Sequence, residues 1–553
     1  MNENSLWGHL IIEELCRLGI RDFCIAPGSR STPLVAAVAQ HPHARGHVFF
    51  DERCAAFFAL GMAKYYHHPT VLITTSGTAI SHAFPALLEA EAQNIPLLLL
   101  SADRPPELRN SGANQTIDQN KLFGDHVRFF FDLPCPSADM KPAQLLSLLD
   151  HAAAHAKEGP VHINCMFRKP LDPIPVSMPK IWKDDGPFST IHIEQRTTSW
   201  TTPNHQRAVL VIGSLSSPND QQQALQIAQS AHCPVFCDAA SGLRCSPIPS
   251  SLYPIDSILR FDTESPFLLP DLIVILGGNF VSKELSPWLN KQHSTIVQIQ
   301  PTKERKTGLP ATKIVASIPP SIGKLHHPLP ANRIQREIDS RIQTTLQQQD
   351  GFLEPSIIRT CIENLRPSVS IFLSNSMPIR DFNRFSPQPN HHFRSAVNRG
   401  ASGIDGIVST AAGWTYASQN PAILIIGDVA CLHDIGSFLQ LSPKKIPLLV
   451  CVINNGGGGI FSFLPIAKEE HIFEEYFATE HQIAITPITQ AMGVPTTTIY
   501  NNKEWTDCLQ HFLHKPQFSV VEVQTDRKEN VLIHREIEQS IQSYLAQNWS
   551  DPQ

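Results

Sequence analysis

The chain alternates short, largely apolar runs with longer segments in which apolar residues recur at helical spacing. Five of these runs are four to six residues long and rich in branched side chains: Val71–Thr74, Ala208–Ile212, Leu272–Leu276, Ala422–Ile425 and Leu448–Ile453. Such runs are typical of strands buried on both faces, and the helical segments between them supply the crossovers of parallel sheets. The pattern predicts the α/β fold class, with doubly wound domains and mainly parallel sheets.

Two polar, proline-containing stretches divide the chain. Residues 170–205 contain repeated prolines, and residues 318–352 begin with Ile318-Pro-Pro and end in a glutamine-rich run. This composition is typical of linkers. A chain of 553 residues has room for three domains of roughly 100–200 residues each. We therefore predict three domains, at residues 1–180, 190–330 and 350–553.

The first and last predicted domains share the spacing of several turn-forming residues. A glycine precedes a proline by eight positions in both, and a second proline follows after 27 positions in one domain and 26 in the other. The residues that carry this match are Gly61, Pro69 and Pro96 in the first domain and Gly413, Pro421 and Pro447 in the last. The match indicates two copies of one α/β design on either side of a third domain.

Composition argues against nucleic-acid and membrane partners. The net charge is -6 at pH 7, and no basic stripe is interleaved with aromatic residues. Apolar runs such as Ile95–Leu100 are far shorter than the roughly 20 residues that span a bilayer. Residues 1–5 lack the basic-then-apolar plan of a signal peptide. The scattered cysteines are typical of reduced, buried thiols, so we expect a cytoplasmic protein.

Two features of the middle domain have alternative interpretations. Cys233, Cys237 and Cys245 are the closest cysteines, but zinc sites usually have tighter pairs together with histidine partners. Gly213 and the pair Gly277-Gly278 follow apolar runs and could serve a nucleotide. No G-x-G-x-x-G follows the first of these runs, so sharp strand-to-helix turns are favoured.

Polar residues follow two neighbouring strands of the last domain. Gly427-Asp428 ends one apolar run and Asn454-Asn455 ends the next, with Asp428 and Asn455 27 positions apart. In a parallel sheet, both pairs emerge at the carboxyl edge, where ligands bind. Carboxylate, amide and backbone carbonyl oxygens suit Mg²⁺ or Ca²⁺, and the glycines at 456–459 allow close approach of a bulky anion. Asp428 alone could merely cap a helix, but the pair favours a metal–phosphate site.

A glutamate stands at another strand-to-helix junction. Glu52 follows the apolar run His47–Phe50 and precedes the helical segment Ala55–Gly61. Taken alone, Glu52 is explained by the favourable interaction of an acidic residue with the first turn of a helix. If the metal–phosphate site is present, Glu52 can also be interpreted as a functional residue.

GD followed by NN at this distance resembles the diphosphate-binding motif of thiamine diphosphate enzymes, with Val429 in place of the usual glycine. Further stretches resemble the MenD family, the 2-succinyl-5-enolpyruvyl-6-hydroxy-3-cyclohexene-1-carboxylate synthases of menaquinone biosynthesis. They cover the first and last domains in order and the middle domain weakly. These stretches are Ala26–Leu34, Asp51–Arg53, Thr75–Thr78, Ala102–Leu108, Gly112–Gln115, Val161–Cys165, Asn398–Gly406 and Gly459–Ser462.

The resemblance implies the thiamine diphosphate-binding fold, thiamine diphosphate as cofactor and Mg²⁺ (or Mn²⁺) as metal. It implies that Glu52 is the catalytic residue, which binds the pyrimidine nitrogen N1′ and shares a proton with it. The implied cofactor-binding residues are Glu52, Ser76, Gly77, Gly427, Asp428, Asn455, Ile460 and Phe461. The implied metal ligands are Asp428, Asn455 and Gly457.

The resemblance also implies decarboxylation of 2-oxoglutarate and addition of the succinyl-semialdehyde unit to isochorismate. Both substrates are dianions, which arginine binds well. The implied substrate-binding residues are Ser29, Arg30, Arg104, Gln115, Lys283, Ser376, Arg380 and Arg399. Glu284 follows Lys283 at a position where the family carries Arg. Without the resemblance, the arginines would be assigned to the surface and Ile460-Phe461 to the core.

In this family the two cofactor-binding domains come from different subunits, which implies a homodimer or a homotetramer. A site within one chain is the alternative that the sequence also allows. Two other functions stay open. One is another thiamine diphosphate-dependent decarboxylase or carboligase, such as one like acetolactate synthase. The other is a non-catalytic binding protein on the same fold, which the presence of Glu52, Asp428 and Asn455 disfavours.

Overall fold

The structure is a computed structural model of the chain. It describes residues 3–191, 201, 207–215, 217–261, 270–300, 308–315, 317–349 and 351–548. Two compact units make up the chain. The first comprises Met1–Glu194, Arg399–Gln419 and Asp434–Ile446, and the second comprises Gln195–Asn398, Asn420–His433 and Pro447–Gln553.

Strands and helices alternate along the described residues. The strands are β1 Asp22–Ile25, β2 Arg45–Val48, β3 Thr70–Thr74, β4 Leu97–Asp103, β5 Phe129–Leu133, β6 Val161–Met166, β7 Ala208–Ile212, β8 Val235–Cys237, β9 Leu272–Leu276, β10 Thr295–Ile299, β11 Lys313–Val315, β12 Ser370–Leu373, β13 Ser395–Val397, β14 Ala422–Gly427, β15 Leu448–Asn454, β16 Thr496–Ile499 and β17 Ser519–Gln524. The α-helices are α1 Glu3–Arg17, α2 Thr32–Gln40, α3 Glu52–Tyr66, α4 Phe84–Gln93, α5 Pro142–Ala156, α6 Pro218–Ser230, α7 Ile255–Phe261, α8 Leu285–Lys291, α9 Ala331–Gln347, α10 Glu354–Asn364, α11 Met377–Phe385, α12 Ile407–Ser418, α13 Asp428–His433, α14 Ser437–Leu441, α15 Glu470–Phe473, α16 Ile485–Ala491, α17 Asn502–His514 and α18 Arg527–Asn548.

The described strands form three sheets, in which every strand pair is parallel. The first unit holds the order β2-β1-β3-β4-β6-β5, and the second holds β11-β10-β9-β7-β8 and β13-β12-β14-β15-β17-β16. Parallel sheets need helical crossovers and are covered on both faces, which explains the continuous apolar runs. The α/β fold class with three parallel-sheet domains is confirmed, while the boundaries 1–180, 190–330 and 350–553 stay predictions.

The first and last sheets have the same topology. Counted along the chain, the strands of each sheet lie in the order 2-1-3-4-6-5. Gly61 lies on α3 and Gly413 on α12, and these two helices pack together within the first unit. A Cβ atom on Gly61 would lie 2.0 Å from the Thr410 carbonyl oxygen, and one on Gly413 would lie 2.0 Å from that of Phe58. The glycines that the repeat singled out therefore permit a close helix crossing.

The cysteines and the helices give no sign of a disulfide or of a membrane span. All twelve cysteines are free thiols, and eleven of them are buried. Burial raises the pKa of the Cys233, Cys237 and Cys245 thiols to about 12. Within the part of the chain that the structure describes, no helix is both long and apolar enough to cross a bilayer.

Candidate active site

The strand register brings Asp428 and the Asn454-Asn455 pair to one edge of the last sheet. Strand β14 pairs with β15 so that Gly427 lies opposite Ile453. Asp428 is only 2% exposed. Its Oδ2 accepts hydrogen bonds from the Gly457 N–H at 2.9 Å and the Asn455 N–H at 3.2 Å. Burial raises the pKa of Asp428, although hydrogen bonds from the Gly457 and Val429 N–H groups and the charge of His481 oppose the shift. A cation beside this carboxylate would stabilise its charged form.

Asn455 presents one end of its side-chain amide to a buried carboxyl group. Its Nδ2 donates to Glu354 Oε1 at 2.7 Å. Its Oδ1 is buried and has no hydrogen-bond partner among the described residues. A buried polar atom without a partner is costly, and hard cations favour amide oxygens. The amide oxygen therefore fits a divalent cation.

Gly457 adopts a backbone conformation that other residues rarely reach. Its φ is +147°, and a Cβ atom there would lie 2.4 Å from the Ala478 carbonyl oxygen. The Gly457 carbonyl oxygen accepts from the Gly459 N–H at 2.9 Å, which leaves one lone pair for another partner. Among the described residues, no three His, Cys, Asp or Glu side chains form a metal cluster. The donor set here is instead one carboxylate, one amide and one carbonyl, as Mg²⁺ accepts.

A cavity of about 320 Å³ in the second unit is lined by four basic side chains and one acidic one. Lys283 and Arg380 were predicted to bind substrate, whereas Arg260 and Arg384 were not recognised from the sequence. The full lining is Asp256, Arg260, Val281, Lys283, Met377, Arg380, Asn383, Arg384, Ile460, Phe463 and Leu464. Arg260 pairs with Glu284, and Arg384 lies 3.4 Å from Asp256, so the positive charge that suits an anionic ligand is partly offset.

Two residues beside the cavity, Ser376 and Glu284, each accept a hydrogen bond from an arginine that lines it. Ser376 precedes α11 with a φ of +70°, a strained value for a residue with a Cβ atom. Its carbonyl oxygen accepts from Arg380 Nη1 at 2.5 Å. The Glu284 carboxylate accepts from Arg260 Nε at 2.9 Å. Glu284 therefore holds a cation that lines the cavity.

Ile460 and Phe461 take different positions. Ile460 lines the cavity. The Phe461 ring packs edge-on against Phe477, with 5.9 Å between the ring centroids. Phe463 and Leu464 complete the apolar part of the cavity. The predicted cofactor contact of Phe461 stays a prediction.

In the first unit, Glu52 is the first residue of α3. Asp51 caps the helix, since its Oδ1 accepts from the Arg53 N–H at 2.8 Å and the Cys54 N–H at 3.2 Å. The cap leaves Glu52 half-buried at the start of the helix. Gln440 Oε1 accepts from the preceding Phe50 N–H at 2.8 Å, which fixes the approach to the helix. The predicted change from strand to helix before Glu52 is confirmed, although the strand ends at Val48 and not at Phe50.

Other predicted substrate residues converge in the first unit. Arg104 Nη1 donates to Ser76 Oγ, and Gln115 Nε2 donates to the Ser76 carbonyl oxygen at 3.0 Å. Arg30 is 7% exposed and donates to the Phe167 carbonyl oxygen at 2.7 Å. Burial, and then repulsion from Arg104, lower the pKa of Arg30. The charge of Asp103 opposes this shift, and it also opposes the lowering of the Arg104 pKa by burial.

Three further predicted residues belong to this unit, of which Ser29 and Gly77 each begin a short 3-10 helix. Ser29 is exposed in the turn before Arg30. The Gly77 N–H donates to Gln119 Oε1 at 3.1 Å. Arg399 is half-buried at the start of a loop that a carboxylate holds. Glu89 accepts from the Gly400 N–H at 2.9 Å and the Ala401 N–H at 2.7 Å.

Each unit therefore holds part of the predicted site. The first contains Ser29, Arg30, Glu52, Ser76, Gly77, Arg104, Gln115 and Arg399; the second contains Lys283, Ser376, Arg380, Gly427, Asp428, Asn455, Gly457, Ile460 and Phe461. Sequence reasoning missed Glu354, whose only local signal is an acidic residue before a proline at a helix start. It also missed Glu89, which lies in an ordinary helical pattern.

Models of thiamine pyrophosphate enzyme domains match most of the chain. The N-terminal TPP-binding domain matches residues 7–122, and the C-terminal TPP-binding domain matches residues 375–523. A middle domain of thiamine pyrophosphate enzymes matches residues 177–368. The matched order agrees with the three parallel sheets.

Curated relatives match nearly the full length. A 2-succinyl-5-enolpyruvyl-6-hydroxy-3-cyclohexene-1-carboxylate synthase of Rubrobacter xylanophilus is 36% identical, over 97% of this chain and 98% of its own. A protein of the same name from Chlorobium limicola is 36% identical, over 98% of this chain and 99% of its own. With this identity and the three matched domains, the chain belongs to the thiamine pyrophosphate enzymes and, among them, to the 2-succinyl-5-enolpyruvyl-6-hydroxy-3-cyclohexene-1-carboxylate synthase family.

Proposed function

We propose that the protein decarboxylates 2-oxoglutarate and adds the succinyl-semialdehyde unit to isochorismate, in menaquinone biosynthesis. The products are 2-succinyl-5-enolpyruvyl-6-hydroxy-3-cyclohexene-1-carboxylate and CO₂. The observation that carries the proposal is the basic cavity with Lys283 and Arg380 in its wall, in a chain of this family. Both substrates are dianions, and a simple pyruvate carboligase has less need of so many cations.

The first and second units have distinct proposed roles toward the cofactor. Thiamine diphosphate, when bound, supplies the nucleophilic carbon for the reaction. Asp428, Asn455 and the Gly457 carbonyl would hold Mg²⁺ (or Mn²⁺), and the metal would hold the diphosphate. Glu52 would share a proton with the pyrimidine nitrogen N1′. The remaining proposed cofactor contacts are Ser76, Gly77, Gly427, Ile460 and Phe461.

Arginines would bind and orient the two dianions. Guanidinium groups pair with carboxylates through two parallel hydrogen bonds, which fixes orientation as well as affinity. The proposed substrate contacts are Ser29, Arg30, Arg104, Gln115, Lys283, Ser376, Arg380 and Arg399. Arg104 and Gln115 both donate to Ser76, which supports the assignment of these residues to one site.

We also propose that the protein works as a cytoplasmic homodimer or homotetramer. Val48 and Phe50 are both exposed just before Glu52, and this pair of apolar side chains supports burial of the junction by a second subunit. Family members assemble their cofactor site from two subunits, so Glu52 of one subunit would act with Asp428 of the other.

A direct assay tests the reaction. Protein saturated with thiamine diphosphate and Mg²⁺ should consume isochorismate, followed by its absorbance, only when 2-oxoglutarate is present. CO₂ release should match the isochorismate consumed. Folded, cofactor-saturated protein without turnover would contradict the proposal. A preference for pyruvate in a panel of 2-oxo acids would favour an activity like that of acetolactate synthase.

A further inference from the structure

Glu354 is a buried carboxyl group to which neither the sequence nor the proposed reaction assigns a role. It is the first residue of α10 and is 1% exposed. Its Oε1 accepts from Asn455 Nδ2 at 2.7 Å and from Thr525 Oγ1 at 3.4 Å. A buried carboxylate is expensive unless it is well hydrogen-bonded, so its place beside the metal site calls for an explanation.

The two ends of an asparagine amide are nearly identical in shape and opposite in function. The oxygen accepts hydrogen bonds or binds metal ions, whereas the NH₂ group only donates. With Nδ2 directed to Glu354, Oδ1 is left buried and without a hydrogen-bond partner among the described residues. A rotation of the amide by 180° would set Oδ1 against the Glu354 carboxyl group and turn NH₂ toward the metal position.

The adjacent Asn454 also donates its NH₂ group to a buried glutamate, but its amide oxygen has a hydrogen-bond partner. Asn454 Nδ2 donates to Glu522 Oε1 at 2.6 Å, and its Oδ1 accepts from the Gly456 N–H at 3.2 Å. Both ends of the Asn454 amide are therefore used within the protein. Asn455 differs because, within the described part of the chain, only its NH₂ end has a partner, so its oxygen is the one available for a cation.

We propose that Glu354 is a positioning residue that fixes the side-chain amide of Asn455 with its oxygen toward the divalent metal. The inference rests on the proposed metal site of Asp428, Asn455 and Gly457. Glu354 contacts neither cofactor nor substrate in this role, and acts only through Asn455. Residues that orient a metal ligand typically change metal affinity by about 10–100-fold when they are lost.

The test measures Mg²⁺ affinity, in the presence of thiamine diphosphate, by isothermal titration calorimetry, with free Mn²⁺ measured by electron paramagnetic resonance as a second readout. Glu354→Leu should weaken metal binding by about 10–100-fold. Saturating Mg²⁺ should restore most of the turnover. Glu354→Gln keeps an acceptor oxygen and should bind Mg²⁺ close to wild-type affinity. Wild-type affinity in Glu354→Leu would overturn the inference.

Arg359 provides a matched control on the same helix. It is buried, and its guanidinium donates to Asp339 at 2.9 Å and to the Phe385 carbonyl oxygen at 2.9 Å. Arg359→Met should lower thermal stability without changing Mg²⁺ affinity. Weakened Mg²⁺ binding in this control would show that any disturbance of α10 suffices, and would overturn the specific role of Glu354.

A double-mutant cycle covers the case in which Glu354→Leu does not fold. In Asn455→Asp, the introduced carboxyl group would face the Glu354 carboxyl group, and the two would repel each other. Glu354→Gln should remove this repulsion, because its side-chain NH₂ can donate to the introduced carboxylate. Glu354→Gln should therefore tighten Mg²⁺ binding in the Asn455→Asp background and not in the wild type. Additive effects would contradict the contact. If the wild-type protein showed no Mg²⁺-dependent cofactor binding, the proposed metal site itself would be wrong. That result differs from one in which the metal site is present but Glu354 does not position Asn455.

Discussion

At the scale of single residues, the proposed proton transfer by Glu52 can be tested with one substitution. Glu52→Gln keeps the size and the hydrogen-bonding capacity of the side chain but cannot exchange a proton with the pyrimidine nitrogen N1′. We expect kcat to fall by about 10²–10⁴-fold, because general acid–base catalysis contributes this much. Thiamine diphosphate titration should still show binding. Near-normal turnover in Glu52→Gln would contradict its assigned role.

His162 gives a residue-scale prediction about stability. Its Nε2 lies 2.7 Å from Ser101 Oγ, and burial lowers its pKa from 6.5 to about 3. Because the folded-state pKa is depressed, only the unfolded state binds a proton at this histidine between pH 6.5 and 3. The contribution of neutral His162 to the unfolding free energy is therefore complete above pH 6.5 and is lost as the pH falls toward 3. Between pH 7 and 5, His162 should account for about 2 kcal/mol of the loss in unfolding free energy.

His162→Phe tests this dependence. Phe123 and Phe130 contact the imidazole ring, with centroids 5.1 and 5.2 Å away, so an aromatic ring fits the position. Urea unfolding followed by circular dichroism at pH 7 and pH 5 should show a smaller acid-induced loss in the variant. An equal loss in the two proteins would show that His162 does not contribute.

At the scale of elements, the crossing of α3 and α12 depends on glycine. Gly61→Val places branched carbons where the Thr410 carbonyl oxygen already lies 2.0 Å from a Cβ position. Overpacking of this kind costs about 1–3 kcal/mol or more, so the melting temperature should drop. Gly436→Ala, where nothing lies within 4 Å of a Cβ atom, serves as the control and should be neutral. An unchanged melting temperature in Gly61→Val would mean that the helices do not pack this closely.

The elements themselves were largely predictable. Strands such as Ala208–Ile212 and Leu272–Leu276 agree with the apolar runs read from the sequence. The repeated spacing around Gly61 and Gly413 predicted two related domains, and the first and last sheets share one strand order. These features are encoded locally, because a strand buried on both faces must be apolar throughout.

At the scale of the whole molecule, the proposed homodimer makes a prediction about Phe50. This side chain is 66% exposed, beside the junction that carries Glu52. Phe50→Ser should weaken subunit association, because it removes apolar surface that a second subunit would cover. Sedimentation equilibrium across a concentration series measures the effect. Tyr500→Ser, at a residue 65% exposed in the other unit, is the control. Equal association in wild type and Phe50→Ser would contradict this interface.

The sequence by itself determined the fold class, the placement of Asp428 and Asn455 at the ends of two neighbouring strands, and the start of a helix at Glu52. Each is written in a short stretch where a strand ends, and parallel strands end at a common edge. Only the tertiary structure placed Glu354 on Asn455, 101 positions away, and Glu89 on Ala401, 312 positions away. It also placed Arg260 and Arg384 in the cavity wall. Such contacts join distant segments through packing, and no local spacing encodes which buried carboxyl group meets which partner.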